Sequence, residues 1–552
     1  MRKKLFLGLV ALLFLASLFF VNNSKGLIEK SFSFSKEMVQ EEPSYGDALV
    51  VGTIADASIL VPMLATDVMS HRVAGLIFRG IVKYAPDLSI VGDLAERYEV
   101  SKDQRVITFY LKKNAKWEDG TPVTAWDVEF GFKLITDPKT PSPYASDFLE
   151  VERFEVIDDH TFRVYYKRPF ALALISWGNL VVLPRHLLAD KDLSYIQREF
   201  GKRPVGNGPF KFVEWKRGSS LKLGVNPLYS EGRAYLDQVL FRVIPDPTTL
   251  FLELRSGGLD WISLTPLQYF RIERDRELKE RFQVYKYLSF SYTYIGYNLK
   301  DPLFADKRVR LALCYAIDKK KVVEGALLGQ GIPAYGPYKP DAWFYNPEIE
   351  KTCPYDPNKA LSLLQEAGFV KGKDGWLYKD GKPFEFTLLV NHGNLSRLLA
   401  AQIVQQELSK IGIRVNIRVV EWTTLIHQFI DKRRFQAVIL GWTTGLDPDL
   451  YDIFHSSKIN PPGLNFISYK NEELDRLLEE GRYTLDKEKR KRIYYRVQKI
   501  LAEDQPYTFL YIPYSLEAIH HRFRGISPSA IGIAYNLERW WVPKDKQKYL
   551  QP

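Results

Sequence analysis

The stretch from Phe384 to Thr444 constrains the fold most strongly, because strand-like and helix-like patterns alternate along it. In order, it holds an apolar run, a helical pattern that ends at Gly412, a strict apolar–polar alternation, a second helical pattern and a buried strand: Phe386–Val390, Ser396–Lys410, Ile413–Val419, Thr423–Asp431 and Phe435–Leu440. Such a run of βαβ units predicts parallel strands that are joined by right-handed crossovers. The sequence therefore predicts an α/β fold.

Two loops are expected at the carboxyl ends of these strands, Asn391–Asn394 and Gly441–Thr444. In parallel sheets, ligands bind in the crevice beyond the carboxyl ends of the strands. The second loop offers close backbone approach, a flat apolar ring and two hydroxyls, a mixture typical of small-ligand pockets. We therefore predict that one wall of a ligand cleft is formed by Gly441, Trp442, Thr443 and Thr444 together with Asn391 and Asn394. The alternative is that Trp442 only fills space between two lobes.

An earlier strand, Asp47–Ile54, opens the first domain, and a loop from Asp56 to Pro62 follows it. Asp56 and Ser58 in this loop are further candidate ligand-binding residues. Later in the chain, Tyr507–Ile512 is again strand-like and resembles the first domain more than the second.

Composition narrows the classes of function. The net charge of +11 comes from scattered Lys and Arg, and no basic block with interleaved aromatics, helix-turn-helix pattern or zinc knuckle is present. The two cysteines, Cys314 and Cys353, cannot form a disulfide framework. Cys314 lies in a helical run and is expected in the core, and a bridge to Cys353 stays open as an alternative in an oxidising compartment.

The N-terminus predicts export. Arg2, Lys3 and Lys4 precede the apolar run Leu5–Val21, which indicates a secretory signal or an uncleaved anchor with the bulk of the chain outside. No cysteine lies directly after the run, which excludes lipoprotein anchoring. The polar segment up to Gly46 is typical of a linker, so residues 1–46 form a signal or anchor segment with a linker.

Several runs carry a family resemblance: Asp93–Phe130 with its core WEDGTPVTAWDV at Trp117–Val128, Asn207–Trp215, Tyr297–Val323, Tyr355–Phe369 and Leu408–Ile417. With them, the sequence resembles extracytoplasmic solute-binding proteins of the peptide/nickel class, family 5, which deliver ligand to ABC importers. The resemblance implies a two-lobed fold of the periplasmic-binding-protein type II kind, with an extra subdomain inserted in the first lobe. The implied divisions are lobe I at 47–86, 204–300 and 504–545, the subdomain at 87–203 and lobe II at 301–503, with hinges at about Asn298–Asp301 and Asp504–Tyr507.

The resemblance also bears on the site. Relatives place ligand against the loop that matches Gly441–Thr444, and in peptide-binding relatives an aspartate three residues after the tryptophan holds the free α-amine. Gly445 stands there in this chain, and the next carboxylate, Asp447, is either a helix N-cap or a ligand contact. Arg397 matches a region in which a relative's arginine holds a carboxylate, and an exposed helix-face arginine is the equal alternative. The implied partners are a small-molecule or peptide ligand and the permease and ATPase subunits, and the protein is expected to be a monomer.

Enzyme motifs are missing from the sequence. It has no H-E-x-x-H, no Walker A motif and no G-x-S-x-G, so we predict no catalytic residues, no metal and no cofactor. An extracytoplasmic hydrolase stays as an alternative because two distant carboxylates would not be visible in a sequence. An oligosaccharide-binding member of the same class is the second alternative. A cytoplasmic sensor is disfavoured by the N-terminal apolar segment.

Overall fold

The computed structural model describes residues 41–179, 182–529 and 531–549. The predicted segment Leu5–Val21 and most of the linker lie outside the described residues. Among the helices of the described part, none combines the length and the apolar character needed to cross a bilayer.

The described residues form strands and helices throughout. The strands in chain order are β1 Ala48–Thr53, β2 Val82–Tyr84, β3 Ile90–Gly92, β4 Ala95–Val100, β5 Val106–Leu111, β6 Val151–Asp158, β7 Thr161–Tyr166, β8 Phe210–Lys216, β9 Ser220–Val225, β10 Gln238–Val243, β11 Trp261–Ser263, β12 Phe282–Leu288, β13 Ser291–Tyr297, β14 Gly331–Pro333, β15 Val370–Lys371, β16 Leu377–Lys379, β17 Lys382–Pro383, β18 Glu385–Asn391, β19 Arg414–Val420, β20 Ala437–Thr443 and β21 Tyr507–His520. The α-helices are α1 Val68–Ile77, α2 Ala125–Thr136, α3 Ser176–Asn179, α4 Arg185–Leu188, α5 Leu193–Arg198, α6 Pro247–Ser256, α7 Pro266–Arg274, α8 Arg276–Arg281, α9 Pro302–Ala305, α10 Lys307–Ala316, α11 Lys319–Leu327, α12 Pro357–Glu366, α13 Leu395–Lys410, α14 Trp422–Thr424, α15 Tyr451–Phe454, α16 Glu472–Tyr483 and α17 Lys487–Asp504.

One 12-stranded sheet runs through both lobes, with the central order β19-β18-β20-β13-β21-β11-β1-β10-β9-β8. In the first half, β1 and β10 are parallel. Leu49 and Val51 pack into a cluster on one face of this half, while Val50 packs into a different cluster on the other face. Successive strand residues point to opposite faces, so apolar residues at every position make a strand that is buried on both sides.

The second half contains the stretch on which the fold prediction rests. β18 pairs in parallel with both β19 and β20, as the βαβ pattern predicts. Leu388 and Ile439 enter the cluster on one face, and Leu389 and Val438 enter the cluster on the other. The two-lobed α/β fold therefore has a separate pair of cores for each lobe.

Two predicted elements differ in detail. The last strand extends from Ala437 to Thr443 and does not end at Leu440, because β13 lies beside it and pairs antiparallel with it through Thr443. The aromatic and β-branched residues Trp442 and Thr443 suit such a strand. The predicted second helix is the single turn α14 followed by a π-helix at Leu425–Ile430.

Strand β21 belongs to both halves of the sheet. Its first part pairs with β13, and its second part pairs with β12 from Leu288↔Tyr514 onward. Between them, the Ser289 amide donates to the Pro513 carbonyl at 3.1 Å. β13 thus lies with the strands of the second lobe, although the sequence places its residues in the first. We propose that the chain crosses between the lobes at Ser289–Phe290 and Pro513–Tyr514, and not at the predicted hinges.

A separate four-stranded antiparallel sheet, in the order β4-β5-β7-β6, lies within the predicted insertion. Thr124 and Asp127 form the capping box that begins α2. Trp117 of the family motif is fully buried, consistent with a structural role. We call residues Ala95–Ala173 the antiparallel unit.

Cys314 and Cys353 form a disulfide, with Cα atoms 6.3 Å apart. The bridge ties α10 to the chain that follows a 3-10 helix at Pro347–Lys351. The sequence alone leaves this pairing open.

Candidate functional site

The carboxyl ends of β18 and β20 bring four predicted site residues together. Asn394 caps α13 by accepting the Arg397 amide at 3.0 Å. The Arg397 side chain turns back, and its Nη1 donates to Oδ1 of Asn391 at 2.9 Å. On the next strand, a Cβ placed on Gly441 would lie 2.8 Å from Nη2 of Arg397. Gly441 therefore makes room for a guanidinium at the strand end.

Arg397 carries the unbalanced charge of this group. Burial lowers the pKa of its guanidinium, and Tyr511 and Tyr294 oppose that shift. Among the described residues, no carboxylate forms an ion pair with Arg397. A partly buried cation without a counter-ion is costly, and a bidentate carboxylate is the partner that a guanidinium matches best. The group can therefore accept a carboxylate from a ligand.

Trp442 and Thr443 do not form one surface. They are successive residues of β20 and so lie on opposite faces of the sheet. The half-buried Trp442 ring packs against Phe466, with centroids 6.0 Å apart, and its indole N–H donates to the Tyr507 hydroxyl at 3.2 Å. These contacts agree with the space-filling alternative, but part of the ring stays accessible.

The two threonines continue the pairing with β13. The exposed Thr443 hydroxyl lies 2.8 Å from that of Ser291, on the same face as Gly441. The Thr444 amide and hydroxyl both donate to the Phe290 carbonyl at 2.9 Å. The predicted loop is therefore strand up to Thr443, and its backbone groups are less free than the sequence suggests.

The Asp447 carboxylate forms a salt bridge within the protein. Its two carboxylate oxygens accept from Arg490 at 2.5 and 2.7 Å, and one also accepts the Asp449 amide. The following helix begins only at Tyr451, with Leu450 as its N-cap. Asp447 is therefore neither a helix N-cap nor a free carboxylate for a ligand amine.

Asp56 and Ser58 also have partners in their own lobe. The Asp56 carboxylate accepts the Trp215 indole N–H at 3.0 Å and the Gly218 amide at 2.7 Å. The Ser58 hydroxyl donates to Asp67 at 2.5 Å. The Asp56 contacts fix the loop after β1 against the β8–β9 hairpin, and the Ser58 contact fixes it to the N-cap of α1. The role of both residues in binding stays a prediction.

Residues of β13 and β21 that sequence reasoning missed lie beside the Arg397 group. Thr293 pairs with Gly441 on one side and with Tyr511 on the other. Nearby, a Cβ on Gly393 would lie 3.0 Å from the Pro245 carbonyl, so the loop after β18 touches the segment after β10. These two strands and Pro245 come from distant parts of the sequence, and no local pattern identifies them as neighbours.

The described residues contain no cluster of His, Cys, Asp and Glu that could hold a metal ion.

The fold is that of solute-binding proteins. A model of bacterial extracellular solute-binding proteins, family 5 (middle region), matches residues 89–461. The chain is also 35% identical over 524 residues to the oligopeptide-binding protein AppA of Bacillus subtilis (strain 168), which covers 93% of this chain and 95% of AppA. The protein belongs to the bacterial extracellular solute-binding proteins of family 5.

Solved structures agree with this assignment. The structure of Bacillus subtilis AppA in complex with a nonapeptide is 34% identical, has a TM-score of 0.85 and covers 91% of this chain and 100% of AppA. NikZ from Campylobacter jejuni in complex with Ni(L-His) is 27% identical, has a TM-score of 0.81 and covers 90% of this chain and 99% of NikZ.

Proposed function

We propose that this protein is the extracytoplasmic substrate-binding subunit of an ABC importer. Its two lobes close on a peptide, which it delivers to the membrane permease without turning it over. The observation that carries the choice of ligand is Arg397, a partly buried cation that no described carboxylate neutralises. The similarity to AppA, whose structure holds a nonapeptide, supports a peptide over other carboxylates. The N-terminal basic and apolar segment supports export, with permease and ATPase subunits as partners.

The site favours a peptide longer than two or three residues. By the family resemblance, Gly445 stands where peptide-binding relatives carry an amine-binding aspartate, and Asp447 is paired with Arg490. A free α-amine therefore finds no open carboxylate among Gly445 and Asp447, the described residues that follow β20 at these positions. We propose that binding depends on the peptide carboxylate at Arg397 and on the peptide backbone, with Trp442 and the hydroxyls of Thr443 and Thr444 at the edge of the site.

Mass spectrometry of solutes released from the denatured purified protein tests the ligand class. We expect a set of peptides of several residues. Calorimetry should then show binding of a synthetic nonapeptide. Its C-terminal amide should bind about 10-fold more weakly or worse, because the amide lacks the charge that pairs with Arg397. Release of sugars only would favour the oligosaccharide alternative, and detectable cleavage of the nonapeptide would favour the hydrolase.

The location is tested by N-terminal sequencing of the native protein. Cleavage after Leu5–Val21 indicates a free extracytoplasmic protein, and an intact N-terminus in the membrane fraction indicates an anchor. Recovery of the full-length chain from the cytosol would contradict both.

A further inference from the structure

The antiparallel unit touches the second lobe through a group of polar contacts that involves none of the candidate ligand residues. On one side are a 3-10 turn at Ala145–Asp147, Glu150 just after this turn, and Ala171, which follows β7. On the other side are α15, Asp449 just before it, and the last residues of α16. We call this group the Arg482 latch, defined by Ser146, Asp147, Glu150, Ala171, Asp449, Asp452, Arg482 and Tyr483.

Arg482 stands at the centre and has a carboxylate partner on each side. Its Nη2 donates to Asp449 of its own lobe at 2.6 Å and to Asp147 of the antiparallel unit at 2.9 Å. The Arg482 side chain is only 4% exposed. Burial opposes the charge, yet the surrounding carboxylates raise the pKa of the guanidinium well above its ordinary value. The cation is thus fixed between the two bodies.

Further hydrogen bonds surround this ion pair. The Ser146 hydroxyl donates to Asp452 at 2.8 Å, and the Tyr483 hydroxyl donates to Glu150 at 2.9 Å. The Arg482 carbonyl also accepts the Ala171 amide at 2.7 Å. All three bonds cross the same boundary as the Asp147–Arg482 pair.

A tyrosine side chain adds a cation–π contact at this boundary. The Arg168 guanidinium lies 3.3 Å from the centroid of the Tyr483 ring. Both sides of the boundary therefore contribute charged and aromatic groups at close range.

The partners within each lobe make these contacts reversible. When the lobes separate, Arg482 keeps Asp449, and Asp452 keeps Lys458, which lies 2.6 Å away. Asp147, Ser146 and Glu150 return to water. No buried charge loses its last partner, so opening does not meet the large penalty of an isolated buried ion.

We propose that the Arg482 latch holds the closed arrangement of the two lobes, and that it sustains a closed population without added solute. The inserted antiparallel unit would then set how readily the cleft opens, in addition to any contact it makes with ligand. This inference rests on the proposed closing of the lobes, but it does not depend on the identity of the ligand.

The test measures the distance between the antiparallel unit and the second lobe. Spin labels are placed on Lys139→Cys and Lys470→Cys, both at exposed positions, in protein that has been unfolded and refolded to remove bound solute. Pulsed electron paramagnetic resonance should show a short, closed distance. Burial raises the pKa of the Asp147 carboxyl, so the measurement is made at alkaline pH, where this group is charged. Asp147→Asn, which keeps the shape but removes the charge, should then lower the closed-to-open ratio about 10-fold.

Two further variants separate the latch from general loss of structure. Tyr483→Phe removes only the hydroxyl bond to Glu150 and should lower the closed population by a smaller factor. Glu152→Gln alters an exposed carboxylate of the same unit and should leave the distances unchanged. All variants should unfold at a temperature close to that of the parent.

The proposal is overturned if the parent shows only the long distance, or if Asp147→Asn and Glu152→Gln give the same distances as the parent. Failure of the peptide proposal has a different signature, because the nonapeptide would then leave the distances of every variant unaltered while the latch variants still differ from the parent.

Discussion

Gly441 and Arg397 meet at the end of the parallel strands, where a Cβ on Gly441 would lie 2.8 Å from Nη2 of Arg397 and 2.9 Å from the Tyr292 carbonyl. The first atom ends a flexible side chain, but the second belongs to the backbone of β13. Gly441 therefore makes possible both the pairing of two strands and the position of a cation. The Arg397 guanidinium thus lies at the strand end, in the space that a side chain at position 441 would fill.

Arg397→Gln should weaken binding of a nonapeptide about 10- to 100-fold, because it removes a charge-assisted pair with the peptide carboxylate. Calorimetry with the nonapeptide and its C-terminal amide measures the effect. The variant should bind the two peptides nearly equally, whereas the parent prefers the free carboxylate. A parent that already binds both equally would remove Arg397 from carboxylate recognition.

Gly441→Ala should reproduce much of this loss without touching the charge. The added methyl group displaces the guanidinium, and we expect weaker nonapeptide binding with only a small preference left for the free carboxylate. The matched control is Gly445→Ala, where a Cβ meets only the Asp447 amide at 3.8 Å. Equal binding by the two glycine variants would show that the position of Arg397 does not matter.

Trp442→Ala should weaken nonapeptide binding by about 2–4 kcal/mol if the accessible part of its ring packs on ligand. Its contacts with Tyr507 and Phe466 mean that the same change also lowers stability, so affinity is compared only under conditions in which the variant is folded. Trp126→Ala, an exposed indole of the antiparallel unit, is the control. Lower stability with unchanged affinity would assign Trp442 to packing alone.

How far the sequence predicts this molecule depends on whether a contact is local. The three parallel strands β18, β19 and β20 follow from apolar periodicity within Phe384–Thr444, because each crossover helix lies between the strands it joins. Arg397 and Asn394 are likewise near in sequence, and their helix cap follows from residue type. These features can therefore be predicted without knowing which distant segments pack against them.

Other features require knowledge of which strands are neighbours. β13 joins Gly441 to Tyr511, and residues so far apart carry no shared pattern. The prediction of a loop at Gly441–Thr444 fails for this reason. β20 continues to Thr443 because Ser291 and Thr293 of β13 pair with Thr443 and Gly441. The sequence likewise leaves Asp447 between two roles, because Arg490, which pairs with its carboxylate, is distant in sequence.

Loss of the Cys314–Cys353 disulfide should lower the free energy of unfolding by about 4 kcal/mol, because the bridge closes a loop with a sequence separation of 39 and restricts the unfolded chain. Denaturant titrations of the parent with and without a reductant measure this change. The double variant Cys314→Ala, Cys353→Ala should match the reduced parent and should not respond to the reductant. An identical midpoint for reduced and oxidised parent would contradict the prediction.

Acid should weaken the folded state through His520. Burial lowers the pKa of this imidazole to about 4, and nearby cations such as Lys548 and Arg522 add to the shift. Its Nδ1 accepts the Arg522 amide at 3.1 Å, which requires an unprotonated nitrogen. Because the unfolded chain takes up a proton near pH 6.5 and the folded chain does not, this contribution to stability is complete above that pH and is lost as the pH falls toward 4. We expect a loss of about 1–2 kcal/mol after allowing for partial exposure. Denaturant titrations from pH 7.5 to 4 measure the free energy of unfolding at each pH. This free energy should fall less steeply with decreasing pH for His520→Gln than for the parent, whereas His521→Gln should follow the parent. The same pH dependence in all three proteins would exclude His520 as the origin.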